Sequence, residues 1–264
     1  MSQVRSIKNF IIGVAVYLSL LVGVGDAAEV KIAVASNFLS TMQEIASHFE
    51  QESGHATVVS SGSSGKLYAQ IKHGAPFDVF FSADVQRPKL LEEEGLAVLG
   101  SRLTYAVGRL TLWSADSELV RGQGDAILSM GGFEYLAIAN PKTAPYGTAA
   151  QHVLEKLGLW QKIQRRIVQG ENIGQTFQFV YSGNAQLGFV ALSQVLDRKI
   201  IGVGSRWDVP MELYPPLEQQ AVLLVKGQHN KAAKDFFDYV KDDKAQKIIE
   251  RSGYGIRERQ QAER

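Results

Sequence analysis

The sequence predicts an α/β protein of two lobes, with a ligand cleft between them and a chain that crosses from lobe to lobe twice. Three observations lead there. From Val30 onward, short apolar β-like runs alternate with segments of helical period, the signature of strands and helices in turn. Over residues 103–113 two β-like runs meet at Gly108-Arg109, after which a second alternating set begins. A break at Tyr214-Pro215-Pro216 then precedes one more β run, as though the chain returned.

The elements follow in order. Val30-Lys31-Ile32-Ala33-Val34, Thr57-Val58-Val59 and Asp78-Val79-Phe80-Phe81 read as strands. Between the first two, Leu39, Met42, Ile45, Ala46 and Phe49 recur at helical spacing, with His48 on the polar face. Leu67 and Ile71 mark a short helix that stops at Gly74-Ala75-Pro76, and Asp84 is placed to cap another beginning near Gln86. In the second set, Tyr135-Leu136-Ala137-Ile138 and Leu187-Gly188-Phe189-Val190 read as strands, residues 148–157 and 192–198 as helices. Ala221-Val222-Leu223-Leu224-Val225 is the returning strand, and Ala233, Phe236, Phe237, Val240, Ala245, Ile248 and Ile249 line the last helices. The expected division is 28–105 plus 218–264 for lobe 1 and 106–217 for lobe 2, each with a parallel sheet. The polar tail 257–264 is expected to fray.

Residues 1–27 read as an export signal. Arg5 and Lys8 precede an uncharged run over 10–24, and Gly25, Ala27 and Ala28 are small residues at the cleavage point near Ala27. The run is shorter than the roughly 20 residues that span a bilayer. Cleavage there removes Arg5, Lys8 and Asp26 and leaves 26 basic and 26 acidic residues, a neutral body poorly equipped to hold nucleic acid by its phosphates. The absence of cysteine excludes disulfides, thiolate metal sites and a lipid-modified N-terminal cysteine. With 264 residues, 45% of them hydrophobic and 21% charged, the chain can hold together by its core alone.

The most informative motif is Ser60-Ser61-Gly62-Ser63-Ser64-Gly65-Lys66-Leu67, between a strand and a helix. Glycine lets the backbone approach a ligand, serines add donors, and a helix start offers free N–H groups and a positive dipole end: an anion cradle. A Walker A loop fails twice, because Ser60 replaces its first glycine and Leu67 its Ser/Thr. Ser63 and Lys66 have the S-x-x-K spacing of serine acyl-enzymes, but S-D-N and K-T-G companions are missing. A solvated turn is the plain alternative. Ala35-Ser36-Asn37-Phe38 is a second strand-to-helix junction, and in a parallel sheet both turns emerge at the carboxyl edge, where ligands sit. Loops Asn140 to Thr148 and Gly170-Glu171-Asn172-Ile173-Gly174 have the same character in the second lobe. His48, His55, His73, His152 and His229 are scattered and form no metal motif.

Taken together, Ala35-Ser36-Asn37, Ser61-Gly62-Ser63-Ser64-Gly65, the run from Gly74-Ala75-Pro76 to Ser82-Ala83-Asp84, Pro145-Tyr146-Gly147 and Ser252-Gly253-Tyr254-Gly255 carry a resemblance. The chain resembles the periplasmic molybdate-binding proteins, the substrate-binding components of molybdate ABC importers. The resemblance implies a type II periplasmic binding protein fold and a non-enzymatic receptor for molybdate or tungstate. It further implies a monomer that meets a membrane permease, with no cofactor and with molybdenum held as its oxyanion rather than as a bare cation. It implies that the hydroxyls of Ser36 and Ser64 and the main-chain N–H groups of Asn37, Ser64, Tyr146 and Ile173 hold the anion. Some members place a tyrosine where this chain has Ala191; the pairing of Asn37 with Tyr146 resembles another subgroup. A sulfate or phosphate receptor of the same architecture, and a serine acyl-enzyme at Ser63 and Lys66, are the alternatives.

Overall fold

The computed structural model describes residues 28–256. The expected export signal and the polar tail lie outside the described residues. Ten strands form two sheets: β1 (Glu29–Ala35), β2 (Ala56–Gly62), β3 (Val79–Phe81), β4 (Leu103–Gly108) and β10 (Leu217–Leu223) in the first, β5 (Leu110–Ser114), β6 (Leu136–Ala139), β7 (Ile167–Gly170), β8 (Leu187–Ala191) and β9 (Ser205–Asp208) in the second. The strand orders are β2-β1-β3-β10-β4 and β7-β6-β8-β5-β9, the same plan twice. Only Arg109 separates β4 in one sheet from β5 in the other, so the junction is a crossing and not a hairpin.

Both sheets are mixed rather than parallel. β1, β2 and β3 run parallel, as do β6, β7 and β8, but β10 and β5 pair antiparallel with their neighbours. These two strands follow the crossings, so each enters its sheet from the opposite lobe and runs the other way. The returning strand also starts earlier than its apolar residues indicate, at Leu217. Gln219 made that stretch read as polar, yet it is fully buried with both ends of its amide hydrogen-bonded, which removes the cost of burial.

The helices are α1 (Leu39–Ser53), α2 (Ser64–Lys72), α3 (Gln86–Glu93), α4 (Gly124–Met130), α5 (Pro145–Lys156), α6 (Trp160–Ile163), α7 (Ile173–Tyr181), α8 (Leu192–Val195), α9 (Lys231–Tyr239) and α10 (Asp243–Arg251). α1 buries Met42, Ile45, Ala46 and Phe49 as its periodicity predicts, leaves His48 exposed, and ends at left-handed Gly54. α5 begins three residues earlier than expected because Pro145, which needs no N–H partner, suits a first helical position. The helix expected over 192–198 is a single turn, α8. The Asp84 carboxylate accepts from the Arg87 N–H at 2.9 Å, which caps α3.

The first lobe's core is aromatic: Phe38, Phe49, Phe81, Phe236 and Tyr105 meet largely edge to face. In the second lobe Trp113 is fully buried against Phe177, and its indole N–H donates to the Val203 carbonyl at 3.2 Å. Among the described residues no helix is long and apolar enough to cross a membrane.

Candidate functional site

Four strand-to-helix junctions face one another across the two sheets. β1 leads into a 3₁₀ turn, Ser36–Phe38, and β2 leads through Ser63 into α2; β6 leads to α5 and β7 to α7. Their starts surround a small cavity, with room for about 10 Å³. Ser36, Asn37, Ser64, Tyr146 and Ile173 all line it, together with Gly62, Ser63, Ala83 and Pro145. Asn37, Ser64, Tyr146 and Ile173 are buried and Ser36 is partly so. Among the described residues no charged side chain lines the cavity.

The first-turn amides of each helix can be accounted for one by one, since intrahelical carbonyls do not reach them. In α2 the Gly65 N–H donates to the Thr143 carbonyl of the other lobe at 2.9 Å, and the Lys66 N–H to Ser63 Oγ at 3.4 Å. That leaves the Ser64 amide. In α7 the amides of Gly174, Gln175 and Thr176 go to Ser36 Oγ, Asn172 Oδ1 and the Asn172 carbonyl. That leaves Ile173. In α5 Pro145 has no N–H, and Gly147 and Thr148 both donate to the Ala144 carbonyl, which leaves Tyr146. No side chain caps α5. Asn37 is the middle residue of its 3₁₀ turn, again ahead of any carbonyl that the turn could offer.

The two hydroxyls are oriented by the same bookkeeping. Ser64 Oγ accepts from the Ala83 N–H at 2.9 Å, and Ser36 Oγ accepts from the Gly174 N–H at 3.3 Å. Neither hydroxyl donates to another group among the described residues, so each has its proton free for the cavity. A hydroxyl that accepts from an amide is also a stronger donor, because hydrogen bonds in a chain polarise one another. The site is thus a set of uncharged donors.

The lobes are in contact around it. Besides the Gly65–Thr143 and Gly174–Ser36 bonds, Lys66 pairs with Glu171, and Ser40 donates to the Asp197 carboxylate at 2.5 Å. A Cβ on Gly65 would come within 3.0 Å of the Thr143 carbonyl oxygen, so glycine permits this approach. The Lys66–Glu171 pair also bears on the S-x-x-K spacing. The Lys66 ammonium is turned to the other lobe and the Ser63 hydroxyl caps α2, so no base faces a nucleophile there.

Behind the cavity lies a buried polar network that sequence reasoning missed. Gln219 Oε1 accepts from Asn37 Nδ2 and from the Tyr105 hydroxyl, both at 2.9 Å, and Gln219 Nε2 donates to the Tyr146 hydroxyl at 3.2 Å. The Tyr254 hydroxyl donates to the Asn37 carbonyl at 2.7 Å and accepts from Asn37 Nδ2 at 3.1 Å, and Ser193 of the other lobe lies 2.9 Å from that hydroxyl. The side chains of Asn37 and Tyr146 therefore belong to this network, and both residues also line the cavity. Burial pushes the phenols of Tyr146, Tyr105 and Tyr254 well up from their ordinary value, so all three stay neutral. Two glutamines in the middle of a β run were the available signal.

Comparison with known proteins agrees with the architecture. The bacterial extracellular solute-binding protein family matches residues 30–255. A molybdate-binding protein ModA of Azotobacter vinelandii is 52% identical over 244 residues, 92% of this chain and 96% of that protein. A molybdate-binding protein ModA of Rhodobacter capsulatus is 46% identical over 243 residues, 91% and 94% of the two chains. The solved structure of the periplasmic molybdate-binding protein of Azotobacter vinelandii superposes with a TM-score of 0.83 at 45% identity, covering 86% of this chain and 99% of that one. A match that runs through both sheets, with identities of this size over nine-tenths of the chain, shows that the protein belongs to the bacterial extracellular solute-binding protein family.

Proposed function

We propose that this protein is a periplasmic receptor that binds molybdate between its lobes and delivers it to the membrane permease of an ABC importer. It acts as a monomer, takes tungstate at the same site, and is a binding protein rather than an enzyme. The ligand contacts are the hydroxyls of Ser36 and Ser64 and the amides of Asn37, Ser64, Tyr146 and Ile173. One observation carries the reading: a cavity between two lobes lined by free donors and by no carboxylate. Molybdate and tungstate are fully deprotonated tetrahedral dianions at neutral pH, and can only accept hydrogen bonds. Phosphate keeps a proton near neutrality and calls for an acceptor, which this shell lacks. Sulfate fits the same donors and is separated by size alone. The names of the two relatives most similar in sequence here support the larger anion.

Neutral donors suffice. A hydrogen bond to a charged group contributes about 1.5–3 kcal/mol, so six give roughly 9–18 kcal/mol gross. Nanomolar binding needs about 12 kcal/mol net, and association costs several more. The shell must therefore be preorganised and closed over the anion. Closure is a hinge motion of the two lobes, with the chain bending near Tyr105 and near Leu217.

Parallel calorimetric titration of the mature chain with molybdate, tungstate, sulfate and phosphate tests the assignment. Molybdate and tungstate are expected to bind far more tightly than the other two. Complete displacement of molybdate by a millimolar excess of sulfate overturns the specificity, though not the fold. A second expectation concerns pH. Among the described residues no group that titrates near neutrality lines the cavity, so molybdate affinity is expected to stay level between about pH 6 and 9. The raised phenols act only in strong base. Above about pH 10 the unfolded chain loses protons that the folded one retains, so stability falls as pH rises there. Affinity measured across the neutral range, and melting temperature above it, check both statements.

A further inference from the structure

β4, which leads into the first crossing, and β10, which follows the second, both contribute to the buried network, and one residue joins its parts. Gln219 sits on β10, two residues into the returning strand, where the pairing with β4 slips: Gln219 lies opposite Ala106 and Gln220 opposite Thr104. Tyr105 is the extra residue of that bulge. A bulge re-aims a side chain, and here the Tyr105 hydroxyl reaches both the Ser82 carbonyl at 3.1 Å and Gln219 Oε1. Two donors on Oε1 and a phenol oxygen on Nε2 leave the Gln219 amide one orientation.

What Gln219 connects is specific. Asn37 belongs to the first lobe and Tyr146 to the second, and both line the anion cavity. The Tyr146 hydroxyl is packed against the end of β4, so closely that a Cβ on Gly108 would fall 2.2 Å from it and 2.6 Å from Gln219 Nε2. The contact therefore lies at the pivot, beside the Arg109 crossing, and not at the rim where the lobes part. A single amide at the pivot fixes the spacing between one shell residue of each lobe.

We propose that Gln219 is a positioning residue for oxyanion binding, which holds the Asn37 and Tyr146 amides at the separation the anion requires without touching the anion itself. This rests on the receptor function proposed above. It accounts for why a fully buried amide stands in a sheet beside the buried apolar residues Ala106, Ala221 and Phe81. The groups that face Gln219 are the phenols of Tyr105 on β4, Tyr146 on α5 and, through Asn37, Tyr254. The Asp84 carboxylate acts on this cluster through Tyr105.

The test combines Gln219→Met, Gln219→Glu, Tyr146→Phe and the Gln219→Met/Tyr146→Phe double variant, with molybdate affinity and release rate measured beside the wild type at each pH. Gln219→Met is expected to weaken binding at least tenfold, chiefly through faster release. The double variant is expected to be no weaker than the worse single variant, since both act through one contact. Protonated glutamic acid reproduces the amide's pattern, and burial favours its neutral form. Gln219→Glu is therefore expected within about threefold of wild type near pH 6 and to weaken as pH rises toward 9, when a carboxylate forms near a dianion. The proposal is overturned if Gln219→Met stays within threefold of wild type, if the losses in the double variant multiply, or if Gln219→Glu near pH 6 is no better than Gln219→Met. If Gln219→Met does not fold, the glutamate variant and Tyr146→Phe decide alone. A wild-type protein that binds no molybdate sinks the function instead, so the two failures are distinguishable.

Discussion

Replacing Ser36 and Ser64 together with alanine is expected to weaken molybdate binding by about 3–6 kcal/mol, roughly 10²- to 10⁴-fold. Each single change is expected to contribute about half, since each removes one charge-assisted hydrogen bond. The two serines differ in what else they hold. Ser64 Oγ is the partner of the buried Ala83 amide, so Ser64→Ala leaves that N–H without an acceptor in the free protein as well as in the complex. Stability of the ligand-free chain should therefore fall by about 1–3 kcal/mol, a loss separate from the loss of affinity. Ser36 Oγ accepts from Gly174, which is only partly buried, so water can replace it and Ser36→Ala should leave stability nearly unchanged. Isothermal titration and thermal unfolding of both single variants and the pair separate these effects. Affinity of the double variant within threefold of wild type would remove the site from this cavity.

Phe38→Ala is expected to cost about 3–5 kcal/mol of folding stability, the range for emptying a buried aromatic position. Phe38 is fully buried, with its ring edge to face against Tyr105 at 4.8 Å and Tyr254 at 5.1 Å. In a chain of this size that corresponds to a drop of roughly 6–20 °C in Tm. The residue follows Asn37 in the 3₁₀ turn, and both of its ring neighbours donate hydrogen bonds in the network behind the cavity. The cavity left by alanine should therefore loosen the turn that presents the Ser36 and Asn37 donors, and weaken binding too. Unfolding monitored with and without molybdate checks this: the ligand should raise the variant's Tm by less than it raises that of the wild type.

Much of the architecture was legible because local chemistry and global fold agree. Met42, Ile45 and Phe49 at helical spacing have one way to be buried, and α1 buries them so. The serine-rich turn reads as a donor cradle because hydroxyls and a helix start before Leu67 have few other uses in that pattern. The second lobe's loops were legible only as strand-to-helix turns of like character. What they donate depends on which amides are consumed elsewhere. Gly65 gives its N–H to Thr143, 78 residues away in sequence, and Gly174 gives its own to Ser36, 138 residues away, both across the lobes. No local pattern encodes those partners.

The sequence by itself determined that strands and helices alternate in two sets, that no cysteine chemistry is available, and that two serine junctions open toward a common sheet edge. Tertiary structure alone decided the rest. It reversed β5 and β10 in their sheets, because strands arriving from the opposite lobe enter from the far side. It also placed the Asn37 and Tyr146 side chains on Gln219, a polar residue whose burial is tolerable only once partners from three separate segments surround it. Hydrophobic period is a property of neighbours in the chain, whereas the satisfaction of a buried amide is a property of neighbours in space.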